Sequence, residues 1–276
     1  MVKIVAMGDN VVDCYVSTGQ MYPGGNCLNV SVFARRFGAE TQYLGAIGKD
    51  AAGRAIQSAL AAEGVGTDRL RVLDGSTGWC LIGHEDGDRI FLRYDLGVYM
   101  FEPLPADIAF LGDFDAVHVG RSSGLDGSIA EIAAAAPLSY DFSTHHDPAH
   151  IARIAPLSFL AAASGGALRR DEASALVHDL LKAGARYALV TRGREGAFLG
   201  HAGHVFEAPA SDAVVVDTLG AGDTTIARIL YGLLAGEAPQ AALDAAMLAA
   251  GQTCTYHGAV GHGVPIDLDV ALPELA

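Results

Sequence analysis

The sequence predicts an α/β protein: a doubly wound, mostly parallel sheet flanked by helices, with a small antiparallel β-sheet lid. Three observations lead to this prediction. Short apolar runs of strand length alternate with helix-length segments through most of the chain, as in a parallel sheet covered by helices. Two stretches instead alternate apolar and polar residues, as half-exposed antiparallel strands do. The length of 276 residues fits one domain, residues 1–276, with lid strands within about 11–22 and 76–100.

The elements follow from the spacing of apolar residues and from the glycines that end each run. In the first half, strands are expected at 2–7, 12–17, 41–47, 78–82 and 89–94, and helices at 29–37 and 50–63. In the second half, strands are expected at 116–119, 138–142, 157–163, 187–191 and 213–216, and helices at 171–182 and 224–234. Ligands of doubly wound sheets bind beyond the carboxyl ends of the strands, so residues just after these runs are the candidates for chemistry.

Charge and composition exclude several classes of protein. The net charge of −14 repels polyanions, so a nucleic-acid surface is not expected. The apolar stretch 154–168 is interrupted by Pro156 and Gly165 and is too short to span a membrane. The four cysteines lie far apart without a C-x-x-C pair, and residues 1–7 lack the pattern of a signal peptide. We therefore expect reduced thiols in a cytoplasmic protein without a membrane or nucleic-acid partner.

The most specific motif is Val-Asp-Thr-Leu-Gly-Ala-Gly-Asp at 216–223, which precedes a helix-periodic run. Gly220 and Gly222 permit close approach of the backbone, and the N–H groups of a helix's first turn attract anions. Asp223 is then placed to accept a proton from a substrate hydroxyl while the amides and a divalent metal neutralise a phosphoryl group. Taken alone, the motif also fits a simple helix cap. It is neither a P-loop nor a dinucleotide fingerprint.

A second glycine pair, Gly24 and Gly25, precedes Asn26 and the first helix. Asp9 and Asp13 follow the first strand, where carboxylates are placed to bind vicinal hydroxyls of a polyol. Turn-forming Asx residues are the alternative interpretation of this segment.

Gly24-Gly25-Asn26 with Asn29, together with residues 217–223, resembles the two signatures of the ribokinase-like (PfkB) carbohydrate kinases. The resemblance spans nearly the whole chain. Within the family, segments 8–13, 22–26, 140–143 and 256–259 are most similar to members that act on fructoselysine. The resemblance implies a ribokinase-like fold, ATP and Mg²⁺ as cofactors with K⁺ as a further candidate, a small sugar or sugar-amine substrate, and a homodimer formed through the lid.

The resemblance also implies roles for individual residues. Asp223 takes the position of the catalytic base, with Gly220, Ala221 and Gly222 as its anion hole. The residues implied to bind the sugar are Asp9, Asp13, Gly24, Gly25, Asn26 and Asn29. Those implied to bind the nucleotide are Thr191, Gly193, Gly196, Thr218, Gly220, Gly222 and His257. Asp217 is the candidate metal ligand, either for a monovalent cation or for Mg²⁺ through water.

One departure concerns the metal. Relatives such as ribokinase carry an N-x-x-E motif after the strand predicted at 157–163, and this chain has Ser-Gly-Gly-Ala at 164–167. Without that Glu, Mg²⁺ is held through Asp217, Asp141 or the nucleotide phosphates, or activity depends less on free metal. Glu172 lies too far along the chain to substitute for it.

The histidines, the single tryptophan and the arginines of the predicted lid each have their own interpretation. His145 and His146 favour a loop over a metal site, and His118 is expected to line the cleft floor or the core. Trp79 is expected to pack within the lid. Arg89 and Tyr94, with Arg93, are candidates for the carboxylate of an amino-acid-bearing sugar, with solvated strand charges as the alternative.

These observations together predict an ATP-dependent kinase that phosphorylates a primary hydroxyl of a ketose-like substrate. The resemblance favours a fructosamine such as fructoselysine, phosphorylated at its 6-hydroxyl. One alternative is a kinase of the same family acting on fructose, ribose, 2-keto-3-deoxygluconate or a nucleoside. Another is a sugar- or nucleotide-binding regulator without catalysis.

Overall fold

The computed structural model describes residues 1–85 and 88–268, with side-chain positions for all of these except 84–85 and 88–91. The strands are β1 Lys3–Met7, β2 Val11–Tyr15, β3 Gln20–Gly24, β4 Glu40–Leu44, β5 Ala46–Gly48, β6 Arg71–Leu73, β7 Trp79–Glu85, β8 Asp88–Asp95, β9 Ala116–Gly120, β10 Leu138–Asp141, β11 Ser158–Ser164, β12 Tyr187–Thr191, β13 Ala197–His201, β14 His204–Ala208 and β15 Val264–Pro265. The helices are α1 Asn26–Arg36, α2 Ala51–Glu63, α3 Pro105–Leu111, α4 Ile129–Ala135, α5 Pro148–Ile154, α6 Arg170–Lys182, α7 Ala221–Leu234 and α8 Pro239–Thr253.

The main sheet has eight strands in the order β14-β13-β12-β11-β10-β9-β1-β4. Six of them, from β12 to β4, run parallel, and β13 and β14 add an antiparallel edge. Ala6 of β1 lies between Tyr43 of β4 and His118 of β9. The predicted mostly parallel sheet is confirmed.

Each face of this sheet carries its own apolar core. Ile4 and Ala6 pack with residues of α1, α7 and α8 on one face, whereas Val5 and Met7 pack with residues of α3 to α6 on the other. Side chains alternate between the two faces of a strand, so an almost wholly apolar β1 is what a sheet buried on both sides requires. The doubly wound arrangement follows from this pattern.

The lid is a second sheet, with the order β15-β3-β2-β7-β8. Strands β2, β7 and β8 lie within the ranges 11–22 and 76–100, whereas β3 extends to Gly24 and β15 lies outside both ranges; Trp79 is buried in this sheet. Most of its ladders are antiparallel, but β2 and β7 pair in parallel. The N–H of Val12 donates to the carbonyl of Gly78 over 2.9 Å, so both strands leave the core at the same point and in the same direction.

The strand predicted at 213–216 is wrong. Val214 is 84% exposed, and the N–H of Val216 donates to the carbonyl of Cys254 rather than to a neighbouring strand. The hairpin of β13 and β14, which the sequence analysis missed, occupies the sheet edge beyond β12, so this apolar run has no strand to pair with. The hairpin turn has Ala202 and Gly203 at positive φ, a two-residue turn that the sequence could have indicated.

Helix α2 agrees closely with its prediction because its ends are marked in the sequence. The Asp50 carboxylate accepts a hydrogen bond from the N–H of Gly53, and Gly64 ends the helix with a φ of 69°. Helix α1 begins three residues earlier than predicted, at Asn26, which brings that side chain into its first turn. Among the described residues, no helix combines the length and the apolar character needed to cross a membrane.

Candidate functional site

Helix α7 begins at the glycine-rich turn that the sequence indicated. Gly220 has a φ of 79° and directly precedes the helix. A Cβ at Gly220 would lie 2.6 Å from the Cβ of Ala259, whereas a Cβ at Gly222 would meet no atom within 4 Å. The first turn of α7 is therefore closely packed behind Gly220 and open in front of Gly222. An open helix N-terminus of this kind suits an anion.

Asp223 lies in that first turn and faces the N-terminus of α1. The amide of Asn29 donates to Asp223 Oδ2 over 2.7 Å, and the amide of Asn26 donates to Oδ1 over 2.8 Å. Burial raises the pKa of Asp223 to about 6, against the opposing effect of these two hydrogen bonds. A carboxylate with this pKa is well suited to accept a proton near neutral pH.

A second carboxylate, Asp141, lies at the end of β10 beside the first. The amide of Asn26 also donates to Asp141 Oδ2 over 3.0 Å, so one amide bridges the two carboxylates. Burial, together with the charges of Asp223 and Asp9, raises the pKa of Asp141 to about 7, against the opposing effect of hydrogen bonds from Ser143 and Asn26. Residues 1–85 and 88–268 contain no group of three or more His, Cys, Asp or Glu side chains arranged to hold a metal.

Asp9 organises the start of α1. Its carboxylate accepts hydrogen bonds from the N–H of Asn26 over 2.9 Å and from the hydroxyl of Ser123 over 2.8 Å. Negative charge at a helix N-terminus is stabilised by the free amides there. Asp9 thus fixes the helix end that carries Asn26 and Asn29.

Asp13 and the glycine pair lie on the same side of the cleft. Asp13 is buried on β2 and pairs with Tyr22 of β3. A Cβ at Gly24 would lie 2.3 Å from Asp13 Oδ2, and Gly25 has a φ of 105° with its Cβ position 2.6 Å from the Cα of Asn10. Both glycines are required for this close approach of backbone and carboxylate.

Asp217 connects the turn before α7 to the lid. Its carboxylate accepts hydrogen bonds from the hydroxyl of Tyr15, the N–H of Gly258 over 2.9 Å and the N–H of Leu219 over 3.0 Å. These protein donors use both oxygens of the carboxylate. Asp217 is buried and holds the glycine-rich turn before α7 against β2 and the segment after α8.

The candidate nucleotide residues lie in three segments. Thr191 ends β12, and Gly193 and Gly196 follow it in a turn with φ values of 56° and 88°. Thr218 is exposed before α7, and His257 is exposed after α8, with its ring centroid 6.0 Å from that of Tyr15.

The pairing register of the lid strands shows which candidate substrate-binding residues face the cleft. Asp13 pairs with Cys80, which pairs with Tyr94, so these three residues share the cleft face of the lid. Tyr94 is 68% exposed there. Arg93 pairs with Leu81 on the opposite face and lies over the ring of Trp79, so it does not face the cleft. The side chain of Arg89 lies outside the described residues.

Three polar residues singled out in the sequence, or next to them, have structural roles. Glu172 accepts a hydrogen bond from the N–H of Arg169 at the start of α6. His146 bonds the carbonyl of Ser164 over 3.0 Å, and Asp147 caps α5. His145 and His146 lie in the loop between β10 and α5.

The sequence analysis missed three participants in this site. Tyr15 reaches Asp217, Ser123 reaches Asp9, and Arg121 follows β9 at the cleft edge. Only the position of Arg121 just after a predicted strand could have indicated it. The contacts of Tyr15 and Ser123 join residues more than a hundred positions apart, and nothing local marks them.

Comparison with known proteins decides the family. The model of the pfkB family of carbohydrate kinases matches residues 1–141 and 157–266. The chain belongs to this family. A fructosamine kinase from Bacillus subtilis (strain 168) is 35% identical to it over 272 residues, which cover 97% of this chain and 96% of that protein. A fructoselysine 6-kinase from Escherichia coli (strain K12) is 30% identical, covering 94% of this chain and 100% of that protein.

The solved structures show the same fold. Ribokinase from Arabidopsis thaliana, complexed with ribose and ATP, superimposes with a TM-score of 0.84 at 23% identity, over 94% of this chain and 95% of that one. Together with the family match, this confirms the predicted ribokinase-like architecture. This pfkB-family member is therefore a carbohydrate kinase.

Proposed function

We propose that this protein is an ATP-dependent kinase that phosphorylates a primary hydroxyl of a fructosamine, with the 6-hydroxyl of fructoselysine preferred. The observation that carries the proposal is the half-buried Asp223, held by two amides at the open N-terminus of α7. The likeness to a fructosamine kinase and to fructoselysine 6-kinases at 35% and 30% identity supports the substrate class.

Asp223 acts as the general base. It accepts the proton of the substrate hydroxyl while the hydroxyl oxygen forms a bond to the γ-phosphorus of ATP. The bond from that phosphorus to its bridging oxygen breaks, and ADP leaves with the electron pair. The proton then passes from Asp223 to solvent. A pKa of about 6 keeps this carboxylate mostly deprotonated at pH 7 and still basic enough to help.

The transferred phosphoryl group lies in front of Gly220, Ala221 and Gly222, where the missing side chain of Gly222 leaves open space. Bound Mg²⁺ neutralises phosphate charge in such reactions, and Mg²⁺ is commonly held by one or two carboxylates together with the phosphates. Asp141 suits this better than Asp217, whose oxygens already accept three protein hydrogen bonds. A K⁺ ion near the Asp217 turn would be held mostly by backbone carbonyls.

The nucleotide side is assigned to the carboxyl end of β12 and to the segments flanking α7 and α8. The residues are Thr191, Gly193, Gly196, Thr218 and His257. The positive φ values of Gly193 and Gly196 support this assignment, because such a turn presents its backbone to a ligand.

The sugar is assigned to the polar residues between α1 and the lid: Asp9, Asp13, Gly24, Gly25, Asn26, Asn29 and Tyr94. Asn29 gives specific support. Its Oδ1 is buried and has no hydrogen-bond partner among the described residues, while its Nδ2 donates to Asp223. A buried acceptor without a donor is costly, and a sugar hydroxyl beside the base would satisfy it.

The amino-acid part of a fructosamine carries a carboxylate, and Arg121 is the best-placed described cation to bind it. Arg121 follows Gly120, whose Cβ position would lie 2.2 Å from Asn26 Oδ1. Its exposed guanidinium makes no hydrogen bond or ion pair with the described residues. It lines a cavity of about 610 Å³, and the other charged or titratable residues there are His145, His146, His150, Arg153, Asp126 and Asp147.

The test compares initial rates of ADP release from Mg-ATP with fructoselysine, fructose, ribose, 2-keto-3-deoxygluconate and adenosine. We expect the highest kcat/KM with fructoselysine. Arg121→Ala should raise KM for fructoselysine by about tenfold, the worth of one charged hydrogen bond, and leave KM for fructose unchanged. The matched control is Arg186→Ala, because Arg186 is exposed at the amino end of β12, whereas Arg121 follows the carboxyl end of β9.

Two results would count against the proposal. Preference for a plain sugar over fructoselysine would reject the fructosamine substrate and retain the kinase family. Equal changes in KM for fructoselysine and fructose in Arg121→Ala would reject Arg121 as the carboxylate partner.

The homodimer is assigned to the lid. Among residues 1–85 and 88–268, β8 is the last strand of the lid sheet on its side, and Leu92, Tyr94 and Leu96 on or next to it are exposed. Strand edges with exposed apolar side chains favour pairing with a second chain. Light scattering of the purified protein measures this state.

A further inference from the structure

His118 is a buried histidine whose two ring nitrogens both have partners. It lies in β9 with no exposed surface. Its Nδ1 is 3.0 Å from the hydroxyl of Ser139 on β10, and its Nε2 is 2.9 Å from Asn26 Oδ1. The ring therefore connects the centre of the sheet to the first turn of α1.

The direction of every hydrogen bond in this chain can be deduced. Both contacts of Asn26 with carboxylates require its NH₂ group as the donor, so its Oδ1 must face His118. The Nε2 of His118 must then carry the hydrogen. Burial lowers the pKa of His118 to about 3, so the ring is neutral and has a single N–H. Its Nδ1 consequently accepts a hydrogen bond from the Ser139 hydroxyl.

We propose that His118 is a positioning residue for phosphoryl transfer: its Nε2–H fixes the Asn26 amide in the orientation that points its NH₂ group at Asp223 and Asp141. The amide of Asn26 could otherwise rotate by half a turn and present its oxygen to two carboxylates. That orientation would replace two attractive contacts with two repulsive ones. The proposal rests on the proposed function in one respect, since it takes Asp223 as the base.

The surroundings of Asp223 make this orientation important. The charged groups that act on Asp223 and Asp141 are other carboxylates: Asp9 faces both of them, and Asp223 faces Asp141. The donors that lower the pKa of Asp223 are the amides of Asn29 and Asn26. Loss of the Asn26 donor therefore raises the pKa of Asp223, because the charged form loses a hydrogen bond.

The experiment compares His118→Phe with His118→Gln. Phenylalanine fills the volume but cannot donate, whereas the glutamine amide can donate to Asn26 from nearly the same place. We measure kcat/KM against pH, and the carboxyl ¹³C shifts of the aspartates against pH by NMR. For His118→Phe we expect the acidic limb of kcat/KM to move up by about one pH unit, and kcat to fall about tenfold or more. His118→Gln should restore both to near the wild-type values.

Ser139→Ala provides a second route if His118→Phe fails to fold. It removes only the donor to Nδ1, so the ring can change tautomer, and a smaller shift in the same direction is expected. An unchanged pH profile and unchanged ¹³C titrations in folded His118→Phe or Ser139→Ala would overturn the proposal. So would a His118→Gln variant as impaired as His118→Phe.

The ¹³C titration separates this proposal from the proposed function. If the wild-type protein phosphorylates none of the sugars, the proposed function fails, yet the aspartate titrations still report whether His118 orients Asn26. If the wild type is active and the titrations do not respond to His118→Phe, only the positioning role fails.

Discussion

At the scale of single residues, the site is a group of carboxylates held by amides instead of cations. Asp223 and Asp141 share the NH₂ group of Asn26, and Asn29 holds the other oxygen of Asp223. Amides stabilise a carboxylate less than an arginine or lysine does, so burial prevails and both pKa values rise. Asp223, the proposed base, therefore has a raised pKa, and it lies close to other carboxylates.

Asn29 offers the residue-scale prediction. Asn29→Leu removes a donor from Asp223 and the unpartnered acceptor that we assign to a sugar hydroxyl. We expect kcat/KM to fall by about tenfold to a hundredfold for fructoselysine and fructose alike, the worth of one or two hydrogen bonds involving a charge. Initial rates with both sugars measure this. A normal kcat/KM with either sugar would contradict the role of Asn29.

At the scale of elements, two helix N-termini converge on the site. Helix α1 brings Asn26 and Asn29, and α7 brings Asp223 and the glycine turn. Asp9 and Gly25 fix the start of α1, and Gly220 fixes the start of α7. Both helices begin directly after a glycine, so these elements could be predicted, although each begins three residues before its predicted start.

Gly220 and Gly222, at the start of α7, allow two alanine substitutions with different expected effects. Gly220→Ala places a side chain at positive φ and against Ala259, so we expect a lower Tm and lost activity. Gly222→Ala meets open space within a helix, where Ala is more stable than Gly by about 0.5–1 kcal/mol, so Tm should hold or rise. Phosphoryl transfer should fall, because the methyl group enters the position assigned to the phosphate. Calorimetry and ADP release measure the two effects. A fully active Gly222→Ala enzyme would contradict the assignment of the anion hole.

At the scale of the whole molecule, hydrogen bonds connect the lid to the glycine-rich turn before α7. The hydroxyl of Tyr15 on β2 donates to Asp217, and the segment after α8 meets the same carboxylate through Gly258. These bonds hold the lid against the start of α7, on the side of the cleft that we assign to the nucleotide. The overall charge of −14 leaves anion binding to local features such as the start of α7 and Arg121.

How far the sequence could predict this molecule depends on how local each feature is. The spacing of apolar residues located β1, α2 and the lid strands, because burial acts on each segment directly. It failed at 213–216, where three exposed valines resemble a strand but another hairpin occupies the sheet edge. It could place His118 in the cleft floor but not join it to Asn26, since that contact depends on the packing of α1 against β9.

The most direct test of the account is kcat for fructoselysine in Asp223→Asn compared with the wild type, with ATP affinity measured by calorimetry on the same samples. Loss of the base should lower kcat by at least about a hundredfold while the affinity for ATP stays nearly unchanged. The kcat/KM of the wild-type enzyme should also fall below a pH of about 6, because Asp223 becomes protonated. Near-normal turnover by Asp223→Asn would remove Asp223 from the mechanism and contradict the central claim.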